Sequence, residues 1–468
     1  MNKKVISLLL ASLLVFTIFV GHVSTAGGGG QQKPSHSISL AEGSGLSGAS
    51  DGNALLSELG QNGSYKSTGT ATSVPDAGAS GIQALRGSKP QYDPITFVNR
   101  PFFVRCRFQI NDPTYYANQP AQLHRWDPTS SQWEKIRGDA TNADGYVEFR
   151  GLKESKPGIY SYVITCRGDC STPFKTLIIY PVIFVHGWLG SSTEMFYPWT
   201  DMTQALDNAG FVKGTHYFVF NYNSKDDPRA AADNLQSFIK ERKAFFHDRY
   251  QYDDCKFTIV CHSEGALVTR WYMEREGGAE NVAQWIVIAP ANHGAAYHEL
   301  IPDVVLSILD PVIGKQAFKQ RGTDSDIVKG PDDPKFGAKG LAHNVTYRVI
   351  VGNNINNARG FGSDIFPGGL SAVIFPNGKT WARLPGCTSP GKGCYYRTLR
   401  GDGLVANVQS WIDCADFRSY TGFDHVGLNH NRTVINYVLR CIENPNMRGQ
   451  KVGLDTFLYP NDPDALYK

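Results

Sequence analysis

The chain has 468 residues, 41% of them apolar and 12% aromatic, with 46 basic and 43 acidic side chains for a formal charge of +3. That composition is globular, rich in glycine and aromatics. It carries no basic excess of the kind that nucleic acid binding requires.

Lys3 and Lys4 precede an apolar run from Val5 to Val20, and Ser24-Thr25-Ala26 follows. A charged start, an apolar middle and a small-residue end predict a signal peptide over residues 1–26, cut after Ala26. The 16-residue run is short for a membrane span, which needs about 20 apolar residues. Cleavage leaves a formal charge of +1 on a secreted, soluble product that passes through an oxidising compartment.

Residues 27–90 are rich in Gly, Ser, Ala and Thr and poor in large apolar side chains. Such a stretch buries too little surface to offset its ordering entropy, so it reads as a flexible spacer. Asn62, Asn344 and Asn431 each begin an N-glycosylation sequon.

Residues 91–176 change to short strands and turns. Phe102–Phe108, Ala121–Trp126, Trp133–Ile136, Tyr146–Phe149 and Ile159–Ile164 are the expected strands. Asn142-Ala143-Asp144-Gly145 is a turn signal between two of them. Strands at this spacing predict a small all-β sandwich. It is similar in architecture to transthyretin-like or immunoglobulin-like accessory modules, and nothing in it reads as catalytic. Its expected role is structural support ahead of substrate binding.

Residues 177–468 alternate between buried strands and amphipathic helices, which predicts an α/β domain with a mostly parallel sheet. Lys175–Val185 reads as one strand ending at His186-Gly187-Trp188-Leu189-Gly190. Phe196–Asn208 and Ala230–Phe246 are expected helices, and Tyr217–Tyr222 a strand. Phe257–Cys261 is a buried strand, followed by His262-Ser263-Glu264-Gly265 and a helix. A serine hydroxyl is a weak nucleophile, and needs exposure, a base and oxyanion donors. A strand–turn–helix elbow lifts the Ser263 hydroxyl to the carboxyl edge of a sheet and aims the Glu264 N–H at the reacting carbonyl. The Glu264 side chain is expected to turn to solvent or into a salt bridge.

Trp285–Pro290 and Tyr347–Gly352 are further buried strands, the first ending in Ala291-Asn292-His293-Gly294. Between them, Tyr297–Ile313 presents a wide apolar face, and reads equally as a lid over a cleft or as a core helix. Residues 353–400 are a loop-like insertion. Beyond it stand Asp402, in Gly401-Asp402-Gly403-Leu404-Val405, and His425, in an exposed loop before the helical run Thr433–Leu439. His430 is the rival base, otherwise a solvated residue at a helix start. Asp364 and Asp416 are rival acids, and Asp424 adjoins His425 too closely in sequence to orient its ring.

The elbow Cys261-His262-Ser263-Glu264-Gly265 resembles the G-x-S-x-G nucleophile elbow of the α/β-hydrolases, with Cys261 in place of the first glycine. The His-Gly-x-x-Gly stretch at 186–190, 75 residues before Ser263, resembles a lipase oxyanion loop. Both motifs stand in the order the fold requires. From roughly Leu177 to Arg440 the chain resembles the class 2 triacylglycerol lipases and esterases. The resemblance implies Ser263 as nucleophile, His425 as base and Asp402 as acid. Asp402 stands 50 residues past Gly352, farther along the chain than that acid usually lies. It also implies the backbone N–H groups of Trp188 and Glu264 as oxyanion donors. The expected reaction is hydrolysis of lipid or other carboxylic esters without a cofactor or metal. An acyltransferase, a polyester depolymerase and a non-catalytic secreted binding protein are the alternatives.

Nine cysteines in an exported chain imply disulfides. Cys387–Cys394 and Cys414–Cys441 are the local pairings expected, Cys106–Cys166 is the candidate in the β-module, and Cys261 is the expected unpaired thiol.

Overall fold

The computed structural model describes residues 89–108, 115–188, 190, 198–295, 342, 344–353, 380–383, 395–398, 401–412, 415–451 and 466–467, with Ser307, Lys319, Gly322 and Val328 besides. In chain order the strands are β1 (Gln91–Tyr92), β2 (Ile95–Phe97), β3 (Phe102–Arg107), β4 (Pro120–Asp127), β5 (Gln132–Ala140), β6 (Tyr146–Leu152), β7 (Gly158–Cys166), β8 (Asp169–Cys170), β9 (Phe174–Ile179) and β10 (Val182–Val185). They continue as β11 (Tyr217–Phe220), β12 (Phe257–His262), β13 (Val282–Ile288), β14 (Thr346–Asn353), β15 (Thr380–Arg383), β16 (Tyr395–Thr398), β17 (Asp416–Thr421), β18 (Gln450–Lys451) and β19 (Leu466–Tyr467). The α-helices are α1 (Thr200–Asn208), α2 (Pro228–Tyr250), α3 (Gly265–Arg270), α4 (Asn407–Ser410), α5 (Gly427–His430) and α6 (Arg432–Glu443).

The first part is a β-sandwich. One sheet runs β1-β3-β6, and the other β2-β9-β7-β4-β5 with β8 against β7. Alternation decides which side chains meet. On β3, Phe102, Val104 and Cys106 are buried while Phe103 faces out. They share one core with Val147 and Phe149 of β6 and with Tyr162, Ile164 and Cys166 of β7. A one-residue slip would turn that set to solvent, so the register is pinned. Pairing is antiparallel apart from β2 on β9, which is parallel. Cys106 and Cys166 are both buried thiols here, not a disulfide. Burial, with the neighbouring Cys166, pushes the Cys106 thiol up to about 12. Cys261 and Cys441 are buried thiols as well. Cys387, Cys394 and Cys414 lie outside the described residues.

The strand read as Lys175–Val185 is in fact two. β9 belongs to the sandwich, and the chain changes sheet at Tyr180-Pro181 before β10 begins. Pro181 has no N–H to donate to a ladder. Its carbonyl is still used, accepting from Thr258 N at 2.9 Å. The outward faces of β2 and β9 do not meet water. Ile95, Phe97, Leu177 and Ile179 enter the core of the second part. The Phe97 ring stands 5.1 Å from Phe246 edge-on and stacks at 6.2 Å on Tyr252, and Arg100 lies 4.0 Å over Tyr250.

The second part is an α/β sheet of seven strands in the order β11-β10-β12-β13-β14-β17-β18. The first six are parallel, and β18 closes the edge antiparallel to β17. β10, β12 and β14 are buried almost throughout, as strands covered on both faces must be. Their near-continuous Val, Ile and Phe runs are the sequence sign of that burial. α2 starts at Asp227, whose side chain accepts from Arg229 N, with Pro228 at the first helical position. It packs on α3, while α1 packs on α5 and α6.

Chain order and strand order part company at one place. From β10 the chain goes one way to β11, then reverses across β10 to β12 and on to β13. In an open parallel sheet the crevice for a ligand opens beside the carboxyl ends of the strands at such a reversal. Those ends are Val185, leading to His186-Gly187, and His262, leading to Ser263. A mostly parallel sheet with a strand–turn–helix elbow there is an α/β-hydrolase fold, preceded by the β-sandwich.

Residues 1–88, the Tyr297–Ile313 stretch apart from Ser307, and Asp364 lie outside the described residues. Among those described, no helix is long and apolar enough to cross a membrane.

Candidate active site

β12 ends at His262, and Ser263 takes φ +53°, a left-handed conformation that non-glycine residues rarely adopt. Its N–H donates to Ile288 O on the neighbouring strand at 3.0 Å, and α3 begins two residues later. The turn is this sharp because two positions lack a side chain. A Cβ on Gly265 would stand 2.6 Å from His186 O and 2.8 Å from Val185 O. A Cβ on Gly187 would stand 2.7 Å from the Ser263 Cβ and 3.3 Å from Glu264 N. The loop after β10 therefore lies directly against the elbow. Cys261 fits beneath it, fully buried, where Thr269 Oγ1 donates to its sulfur at 3.5 Å. A small side chain suffices there, so the missing first glycine does not disturb the turn.

Ser263 Oγ lies 2.8 Å from His425 Nε2. His425 Nδ1 lies 2.8 Å from Asp402 Oδ2. The Asp402 carboxylate only accepts, so the imidazole proton sits on Nδ1, and the Nε2 lone pair faces the Ser263 hydroxyl. The other Asp402 oxygen accepts from Leu404 N at 2.9 Å and Val405 N at 2.8 Å, which fixes the carboxylate plane. Asp402 O also accepts the His425 N–H at 2.9 Å. His425 was expected on an exposed loop; it is 1% exposed instead. Ser263 is 9% exposed, the most open of the three.

The 50-residue separation between Gly352 and Asp402 closes in space. A Cβ on Gly352 would stand 2.9 Å from the Asp402 Cβ and would collide with Phe423 O. The insertion therefore leaves the end of β14 and comes back to it, with Asp402 beside Gly352. A loop from β13 holds that return. Asn292 Nδ2 donates to Ser410 O at 2.7 Å, His293 Nε2 to Trp411 O at 2.7 Å, and Ser410 Oγ to Pro290 O at 2.8 Å.

The rivals are engaged elsewhere. Asp416 pairs with the buried Arg348 at 3.1 Å. Asp424 Oδ1 accepts from Gly427 N at 2.6 Å, at the start of α5. His430 pairs with Asp201 on the surface at 2.9 Å.

At the other end of the site, His186 is fully buried and its ring stacks on Tyr222 at 4.2 Å. Tyr222 Oη donates to His186 O at 3.0 Å, and Tyr222 N donates to His186 Nε2 at 3.1 Å. With Nε2 accepting, Nδ1 carries the proton and donates to Gly187 O at 2.8 Å. Tyr222 thus clamps the His186-Gly187 turn that precedes Trp188, a part its sequence gave no reason to suspect. Glu264 does not turn to solvent: its side chain is buried, with Oε2 3.5 Å from Tyr222 Oη.

No protein-family model matches the chain, and no curated protein matches it. Solved structures do. A Bacillus licheniformis lipase, BlEst2 in mature form, is 19% identical over 56% of this chain and 92% of its own, with a TM-score of 0.41. The phospholipase PlaB from Legionella pneumophila is 16% identical with a TM-score of 0.41, and the match spans 58% of this chain and 60% of that enzyme. A superoxide reductase from Ignicoccus hospitalis is 14% identical over 22% of this chain, with a TM-score of 0.17. The fold assignment rests on the strand order and the elbow.

Proposed function

We propose that the protein is a serine hydrolase that cleaves carboxylic esters of lipids. The observation that carries the reading is the unbroken relay from Ser263 Oγ to His425 Nε2 and from His425 Nδ1 to Asp402, each step 2.8 Å, at the strand-order reversal. In it, Ser263 attacks the ester carbonyl as His425 takes its proton. Asp402 holds the imidazole tautomer and stabilises the imidazolium. The N–H groups of Trp188 and Glu264 bind the oxyanion, with the absent Cβ of Gly187 letting the two loops meet. His425 then returns its proton to the leaving alcohol, and water cleaves the acyl-enzyme.

Lipid esters are favoured as substrates by the resemblance of the elbow and oxyanion motifs to those of lipases. Lys3 and Lys4 ahead of the Val5–Val20 run support export, with residues 27–90 as a spacer, 91–176 as an accessory module and 177–468 as the catalytic domain. A p-nitrophenyl ester series of increasing chain length, wild type beside Ser263→Ala, tests the reading. The expected result is hydrolysis that falls at least about 1,000-fold in the variant, with a chain-length preference in the wild type. A folded wild type silent on every chain length would move the assignment to an acyltransferase, a polyester depolymerase or a binding protein.

A further inference from the structure

His262 immediately precedes the nucleophile and its side chain is buried. It points across to the other catalytic loop. Its Nε2 lies 3.0 Å from the backbone carbonyl of His425, and the two rings stand 4.9 Å apart, tilted by 50°. A carbonyl only accepts, so Nε2 must carry the proton and donate. We infer that His262 is a positioning residue that ties the loop bearing the general base to the elbow bearing the nucleophile. The inference rests on the triad reading above and deepens it.

The wiring around His425 explains why this one bond matters. The imidazole must hold two 2.8 Å contacts at once, to Ser263 and to Asp402. On the N-terminal side, the His425 N–H is anchored to Asp402 O. On the C-terminal side, its carbonyl accepts from His262 Nε2. Val426 comes next, and α5 begins at Gly427. With both sides of the peptide held, the ring pivots about its side-chain bonds alone. Release of the carbonyl lets the loop drift by fractions of an ångström, and displacement on the order of 1 Å from reacting geometry costs about 100-fold in rate.

The chemistry of the donor suits the cycle. Burial holds the His262 imidazole well below its ordinary pKa, with His425 next in effect. A neutral donor leaves the neighbouring His425 free to take up the Ser263 proton without a second positive charge 4.9 Å away. Any neutral N–H donor of the same reach serves as well.

Glutamine places an amide N–H where the histidine Nε2–H stands, while methionine fills similar space without a donor. His262→Gln and His262→Met are therefore compared with wild type in the full chain. Expected are a 10- to 100-fold fall in kcat for the Met variant with KM within about twofold, and a Gln variant within about threefold of wild type. Thermal unfolding of the two variants should agree. Independently of any ester, the strongly deshielded Nδ1 proton of His425, followed by NMR of protein labelled with nitrogen-15 histidine, should persist in wild type and Gln and broaden or vanish in Met. If wild type cleaves no ester but the proton signal follows this pattern, the hydrolase reading fails and the positioning role stands. A Met variant with wild-type kcat and proton signal overturns the inference. So does an equal loss in Gln and Met that tracks their loss of stability, which marks a packing role only.

Discussion

Ser263 holds a backbone conformation that costs on the order of 1–3 kcal/mol, and it persists because everything beneath it is fixed. Its N–H is bonded to β13, Gly265 lets α3 start against Val185 O and His186 O, and Cys261 fills the space below. Asp402 is as fully determined, since three N–H groups converge on one carboxylate. Asp402→Asn keeps one oxygen as acceptor for Leu404 and Val405 and so turns its NH2 toward His425 Nδ1. The imidazole then takes the wrong tautomer, and kcat should fall on the order of 10,000-fold with KM little changed, as steady-state kinetics would read. A loss below about tenfold would return Asp364 to consideration. At this scale the sequence was legible where chemistry is local: Ser263 from its elbow, Gly187 from the strand it follows, His425 from its place before a helix. Tyr222 and the reach of His262 were not legible. Both act through partners 36 and 163 residues away, and no short motif records such a contact.

Among the elements, β14 and the insertion after it show what chain spacing conceals. Forty-nine residues lie between Gly352 and Asp402, but a chain segment whose two ends meet at one strand end costs little more than a short one, because closure entropy grows only with the logarithm of length. The strand was visible as an apolar run; the return to it was not, because it depends on Asn292, His293 and Ser410 bonding across the gap. The end of α6 makes a separate prediction. Burial raises the Glu443 carboxyl from 4.5 to about 7, with Arg440 opposing, and Oε1 has no partner among the described residues. A carboxyl raised on folding stabilises the fold below its unfolded pKa, and that contribution is lost as pH rises through 7. Glu443→Gln cannot ionise. Its stability relative to wild type should therefore improve between pH 4.5 and pH 8, by roughly 2–3 kcal/mol in urea titrations. His216, held at about 4 by burial, has the opposite slope, with stability lost as pH falls from 6.5 toward 4. It is present in both proteins and cancels in the difference. A difference that stays flat with pH would mean Glu443 ionises normally.

At the scale of the whole molecule, the sandwich and the α/β sheet are separate in hydrogen bonding but not in packing. Sheet order divides the chain at Tyr180-Pro181, while Ile95, Phe97, Leu177 and Ile179 lie in the core of the second part. The expectation of structural support for the β-module has a physical basis in that shared face. It could not be read from the strand pattern, because a strand buried on both faces looks the same whichever neighbour covers it. Phe97→Ala should cost about 3–5 kcal/mol and lower one common unfolding transition in calorimetry. Two separated transitions, with only the first displaced, would show that the parts fold independently. The most direct test of the assembled site uses an alkyl fluorophosphonate, which reacts only with a serine activated by its base and needs no knowledge of the natural ester. Intact mass and peptide mapping of the full chain should find one adduct, on Ser263, formed at least about 100-fold more slowly in His425→Ala. A folded wild type that takes no adduct, or takes it equally in Ser263→Ala, would contradict the triad.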